Sequence, residues 1–250
     1  MRKLFLAATS ALVLMTGAPT VAKADSSPVV VELFTSEGCS SCPPADLLLG
    51  ELRQHDDVLA LAFHVDYWDY LGWSDRFATK DFTNRQRSYA RSLGSPMVYT
   101  PQMVVDGAEH VVGSARGQVM EAIDDAKNNK AIDLNIGLTW SDRKALTVSI
   151  PAADYDGEAT IWFVRYLLDD ETDVLAGENA GRTLYHANIV EELTAIGMWD
   201  GEAMAITLPW EALAADGGHD FGCAIIVQPE GLGPILGARE IVWGPEQAGT

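Results

Sequence analysis

Apolar runs and polar breaks alternate along the chain, and their texture changes near its middle. Val29-Val30-Val31-Glu32-Leu33-Phe34 and Val58-Leu59-Ala60-Leu61-Ala62-Phe63-His64-Val65 are short and continuous, the pattern of strands buried on both faces. Between them Leu47, Leu48, Leu49 and Leu52 recur at helical spacing, so a helix joins the two strands. Next comes an aromatic, acidic loop, Asp66-Tyr67-Trp68-Asp69-Tyr70-Leu71-Gly72-Trp73. Ser74 or Asp75 then caps a helical stretch that carries Phe77, Phe82 and Tyr89 and ends near Gly94. Residues 97–105 read as a strand entered through Pro101, Asp106-Gly107 as a two-residue hairpin turn, and 109–113 as the return strand. Ser114 caps a last helix with Val119, Met120, Ile123 and Ala126 on one face. This order of strands and helices predicts an α/β layer, partly parallel, with an antiparallel edge.

From about Ile132 the pattern shifts to short apolar segments separated by Gly, Pro and Asp. Segments 134–140, 145–150, 159–168, 183–193, 203–208, 221–227 and 235–242 read as strands, with no long helix among them. That texture predicts an all-β, sandwich-like domain joined through 128–131. The expected organisation is a leader over 1–24, an α/β domain over 25–130 and a β-sandwich-like domain over 131–250.

The leader follows from Arg2 and Lys3, the apolar stretch 4–15, the break at Gly17-Ala18-Pro19, and the small-x-small pattern Ala22-Lys23-Ala24. This is a secretory signal with cleavage after Ala24, and its apolar core is too short to span a bilayer. The expected location is the periplasm or the exterior, with no membrane insertion after cleavage. Formal net charge is −19. It becomes −22 once Arg2, Lys3 and Lys23 leave with a leader that holds no acidic residue. So acidic a surface repels phosphate backbones, which excludes nucleic acid as a partner.

Export lets disulfides persist. There are three cysteines, and two of them, Cys39 and Cys42, form a C-x-x-C, which is not the pattern of a disulfide scaffold. Cys223, inside Phe221-Gly222-Cys223-Ala224-Ile225-Ile226-Val227, reads as a small apolar residue of a buried strand. The C-x-x-C lies where a strand ends and a helix begins, near unpaired first-turn amides and a dipole that favours the thiolate. Pro43 and Pro44 lack a donor, and Pro43 disfavours helical geometry at Cys42, so the helix starts at one of the prolines, just after the dithiol. In the exchange reading, Cys39 is the more exposed nucleophile and Cys42 resolves the mixed disulfide. The hydroxyls of Ser40 and Ser41 then donate to the thiolate. Glu32 either relays a proton to Cys42 or is an outward-facing charge, since one residue of register reverses the face. His64, at the end of an apolar strand, is a hydrogen-bonded core residue or a ligand. Trp68, Tyr70 and Trp73 are a rim for unfolded substrate or packing for the helices.

The strand-Cys39-x-x-Cys42-helix unit, with Thr100-Pro101 leading into a hairpin and final helix, resembles the thioredoxin superfamily over residues 29–128. The resemblance implies a thioredoxin-like α/β domain in which Pro101 is cis and faces the dithiol, with Thr100 beside it, both contacting substrate. It also implies a buried carboxylate on the preceding strand, one residue beyond Glu32. Ser40-Ser41 replace the usual intervening proline. More closely, the chain resembles the secreted bacterial family filed as domain of unknown function 1223. The segments that carry this are Glu32 through Asp46, His64-Val65-Asp66-Tyr67-Trp68-Asp69 and Gly181-Arg182-Thr183-Leu184. The expected function is that of an exported thiol–disulfide oxidoreductase, with catalytic Cys39 and Cys42 and no cofactor beyond their redox-active disulfide. Its partners are protein thiols and disulfides, and a membrane redox partner. A second reading makes Cys39, Cys42 and His64 ligands of Cu(I), although copper carriers on this fold space their cysteines one residue wider. A third is a non-enzymatic binding protein with a structural disulfide. Arg182, Tyr185 and His186 form no recognisable catalytic set.

Overall fold

The computed structural model describes residues 26–141, 145–213 and 220–241. The proposed leader, its cleavage site and the last residue of segment 235–242 lie outside these residues. Strand β1 (Val29–Thr35) is buried at every position because both faces of the sheet are covered there, Val29, Val31 and Leu33 packing in one apolar cluster and Val30 and Phe34 in another. β2 (Val58–His64) pairs with it parallel and β3 (Gln102–Val105) antiparallel. Helix α1 (Pro43–Leu52) makes the β1-to-β2 crossover, its Leu48, Leu49 and Leu52 buried on the sheet. A 3₁₀ turn over Asp66–Leu71 replaces the expected loop. Helix α2 (Lys80–Ser92) begins later than expected, capped by the Thr79 hydroxyl, which accepts from the Phe82 N–H at 3.2 Å. Asp75 is spent elsewhere. β4 (Glu109–Val112) returns antiparallel on β3 after a three-residue connection, with Asp106 and Gly107 both at positive φ. Helix α3 (Arg116–Asn129) follows, and Ala115 rather than Ser114 stands at its cap without a side-chain bond.

Beyond residue 130 come β5 (Gly137–Ser141), β6 (Ala145–Ile150), β7 (Ala159–Val174), β8 (Arg182–Trp199), β9 (Met204–Pro209), the short α4 (Trp210–Leu213), β10 (Phe221–Pro229) and β11 (Gly237–Ile241). A thioredoxin-like α/β half followed by an all-β sandwich is not what they build. One mixed sheet of eight strands runs β11-β10-β7-β8-β2-β1-β3-β4, with a second sheet β5-β6-β9. The seam lies at β8. Ala62 pairs parallel with Ile189, and Asn188 at positive φ donates its side-chain amide to Ala60 O at 2.8 Å. The outer edge of β2 would otherwise present unpaired backbone groups. β7 and β8, at 16 and 18 residues, outrun their apolar patterns, because they pair with each other from Ala159↔Trp199 to Val174↔Arg182. Beyond the core, backbone pairing rather than side-chain burial sustains them.

Three apolar clusters follow from this arrangement. One packs α1 and α3 on a face of the sheet, a second lies under α2 on the opposite face, and the third fills the space between β5-β6-β9 and strands β7, β10 and β11. Cys223 belongs to the third.

Candidate functional site

The backbone between β1 and α1 closes on itself: Cys39 N–H donates to Ser36 O at 3.1 Å and Cys42 N–H to Cys39 O at 3.2 Å. Pro43 opens α1 where no amide donor is needed, and the Cys42 carbonyl accepts from the amides of Ala45 and Asp46. Cys39 and Cys42 are joined by a disulfide with Cα atoms 5.4 Å apart. Ser40 and Ser41 are exposed at its apex, and the Ser41 hydroxyl lies 3.4 Å from Cys39 Sγ. The expected exposure of Cys39 is not observed: both cysteines are 0% exposed. Trp68 crowds one side so closely that a Cβ on Gly38 would lie 2.9 Å from its Cβ. The loop between β7 and β8 covers the other, with Asn179 Nδ2 donating to Glu37 O at 2.9 Å and Cys39 O at 3.0 Å.

The Thr100–Pro101 peptide is cis. Trp68 Nε1 donates to Thr100 Oγ1 at 2.8 Å, which ties this corner to the side chain crowding the dithiol turn. A Cβ placed on Gly113 would stand 3.2 Å from both Pro101 Cβ and Ala45 Cβ, so Pro101 lies beside the first turn of α1. Of the aromatic rim, Trp68 and Trp73 face inward while Tyr70 is largely exposed.

Glu32 neither faces outward nor belongs to the dithiol. It is buried and accepts a bidentate pair from Arg85, at 2.7 Å from Nε and 2.8 Å from Nη2, and a third bond from the Tyr89 hydroxyl at 2.6 Å. Arg85 also donates to Gln228 on β10 at 3.0 Å. This network joins β1, α2 and β10 and engages both carboxylate oxygens.

A different set of ionisable groups backs the disulfide. Asp46, one helical turn after Cys42, is buried and accepts from the Thr35 hydroxyl at 2.8 Å. Burial, reinforced by Asp75 and Glu37 and opposed by His64 and Thr35, pushes its carboxyl up to about 7. His64 Nδ1 lies 2.7 Å from Asp75 Oδ2, with both side chains fully buried. Burial opposes charge on His64, but Asp75, Asp46 and Glu37 outweigh it and raise its pKa. Burial likewise opposes the Asp75 carboxylate, while His64 and the Glu37 and Phe77 amides hold its pKa down. Glu37 accepts from Trp73 Nε1 at 2.6 Å, and burial together with Asp75 raises its pKa. His186 from β8 lies 3.7 Å from Glu37 Oε1 and edge-on to His64, with ring centres 4.8 Å apart. Burial, then the neighbouring His64, lowers its pKa to about 3, so it is neutral.

Of the residues singled out from sequence, Cys39, Cys42, Ser40, Ser41, Thr100 and Pro101 gather around the α1 start, His64 belongs to the buried set behind it, and Glu32 goes elsewhere. Asp46, Glu37, Asp75, His186 and Asn179 were missed. Asp46 carries a signal in hindsight, since i and i+4 share a helix face. Asn179 has none, standing 140 residues from its carbonyl partner. Among the described residues no three His, Cys, Asp or Glu side chains converge so as to hold a metal ion, and no helix is long and apolar enough to cross a membrane.

Fold and site together define a mixed-sheet protein with a bridged C-x-x-C in a strand-to-helix turn, backed by buried carboxyl and imidazole groups. The chain belongs to the family described as Protein of unknown function (DUF1223), whose family model matches residues 30–228. It is similar to the X-ray crystal structure of protein AGR_C_4864 from Agrobacterium tumefaciens, at 32% identity and a TM-score of 0.74 over 88% of this chain and 96% of that one. HBP35 of Porphyromonas gingivalis shares the fold at 15% identity and a TM-score of 0.56, over 88% of this chain and 80% of that one. A search of the curated proteins finds no match.

Proposed function

We propose that this protein is an exported thiol–disulfide oxidoreductase working through Cys39 and Cys42 on protein thiols and disulfides in the periplasm or outside the cell. The observation that carries the reading is the disulfide itself, set across the turn at the start of α1 with a carboxyl of pKa about 7 one turn away. The resemblance to the thioredoxin superfamily is local: strand, dithiol turn, helix start and Pro101 beside it. In the reducing half of the cycle a substrate thiolate attacks Cys39 Sγ, and the Cys39–Cys42 bond breaks. Cys42 leaves as a thiolate and takes the Asp46 proton, and Asp46 regains from solvent the proton that the first substrate thiol gave up on ionising. A second substrate thiol then attacks the mixed disulfide, forming the substrate disulfide and releasing Cys39. Two electrons and two protons pass to the protein; the reverse sequence oxidises it. A membrane redox partner would restore the resting state.

Burial of both cysteines favours a second reading, in which the disulfide is an inert clip holding the turn. The Cys39→Ser variant separates the two. Loss of insulin reduction and of refolding activity on reduced substrate is expected; rates equal to wild type would leave the clip. The reduction potential of the pair then assigns the direction of electron flow.

A further inference from the structure

The loop between β7 and β8 is held to the dithiol turn by polar contacts, with Gly177 lying against Trp73. Of residues 175–183 only Asn179 is buried, and Leu175 is 79% exposed. No apolar side chain of this segment is plugged into a core. Asn179 uses its whole side chain: Nδ2 donates to Glu37 O and Cys39 O at 2.9 and 3.0 Å, and Oδ1 accepts from Arg182 Nη1 at 2.9 Å. The neighbouring Glu178 carboxylate accepts from Ser40 N–H at 3.2 Å, which occupies the amide inside the Cys39-x-x-Cys42 turn. The loop is flanked by Gly177 and Gly181, both at positive φ, where glycine adopts the backbone without cost. A segment with few apolar contacts and glycine at its ends belongs to the low-stability end of a fold. Its hydrogen bonds to the dithiol turn go to backbone on either side of Cys39.

We propose that the 175–181 loop is a latch over the dithiol and that Asn179 is its positioning residue, holding the Glu37–Cys39 backbone and shutting Cys39 Sγ away until the loop lifts. The proposal builds on the exchange reading and reconciles it with a buried disulfide: the strands that join the second half of the chain to β2 deliver the cover for a site built by the first. Since the latch bonds engage backbone carbonyls and an amide rather than sulfur, they are the same in the disulfide and dithiol states. The latch therefore changes rates in both directions and leaves the redox equilibrium alone.

The test uses the whole chain and dithiothreitol, which reduces the disulfide while closing to its own cyclic disulfide. Asn179→Ala is expected to speed reduction about thirtyfold, the effect of two ordinary hydrogen bonds lost from the closed state. Reoxidation by the cyclic disulfide should rise equally, with an unchanged equilibrium ratio. Arg182→Ala, which removes only the group orienting Asn179, should give a smaller increase of the same kind and stands in if Asn179→Ala does not fold. Cooperative melting of each variant is checked at the assay temperature. Reduction of folded variants at the wild-type rate would overturn the latch, as would a change in one direction only. Failure of wild type on protein substrates, alongside accelerated dithiothreitol reduction of Asn179→Ala, would overturn the exchange reading and leave the latch standing.

Discussion

Asp46→Asn is the most informative single substitution, because it removes a titration while keeping the shape of the site. The Asn amide oxygen can still accept the bond that Thr35 Oγ1 gives Asp46 Oδ1. In the folded protein the Asp46 carboxyl is pushed up from 3.8 to about 7, principally by burial. The folded state therefore keeps this proton to a higher pH than the unfolded chain does. Stability from it is fully present below the unfolded value and is lost as pH rises toward the folded one. Each unit is worth about 1.4 kcal/mol, so wild type should lose roughly 3 kcal/mol from this group between pH 5 and pH 8. His64, whose pKa Asp46 helps to raise, loses stability in the same direction, so the difference between variant and wild type reads Asp46 together with its coupling to His64. Urea unfolding of the disulfide-intact proteins at both pH values measures it, and that difference cancels the constant cost of burying an amide. Stability curves of the two proteins that run parallel from pH 5 to pH 8 would refute the argument.

Two further outcomes follow from the same structure. Arg85→Ala leaves Glu32 buried without its bidentate partner and should cost about 3–5 kcal/mol in urea unfolding, much of it regained by Glu32→Leu combined with Arg85→Met; a loss below about 1 kcal/mol would show that the network is not the tie between β1, α2 and β10. Burial pushes the Cys223 thiol up to about 12, so iodoacetamide at pH 8 should leave the native protein unlabelled and modify one cysteine per chain in urea, as read by mass spectrometry.

How much of this was legible beforehand depends on how far apart the interacting residues stand in the chain. Pro43 at the first helical position, Cys42 just before it, the fully buried β1 and β2 and the hairpin at Asp106-Gly107 follow from torsional limits and side-chain pattern within a few residues. So do the C-x-x-C and its placement at a strand-to-helix turn. The hairpin connection came out one residue longer than the two-residue pattern suggests, because Ala108 completes the turn by donating to Val105 O at 3.0 Å. The partition into an α/β half and a separate sandwich failed because an apolar strand advertises that both its faces are covered but not which strands pair along its edges. β2 recruits β8 from 127 residues downstream, where Ala62 meets Ile189, and the sheet becomes continuous.

The chemistry divides along the same line. Local sequence sufficed to place two sulfurs within bonding reach, since a three-residue separation at a helix start leaves little freedom. Whether those sulfurs are covered, which carboxyl stands behind them and which one is neutralised by an arginine were settled by contacts between distant segments. Glu32 and Asp46 are both carboxyls close to the cysteines in sequence, yet one is paired with Arg85 and the other meets Thr35 in a buried site, where burial pushes the Asp46 carboxyl up to about 7. Burial and charge pairing are properties of assembled surfaces. A one-dimensional pattern encodes the propensity to form those surfaces, while the electrostatic environment exists only once they have met.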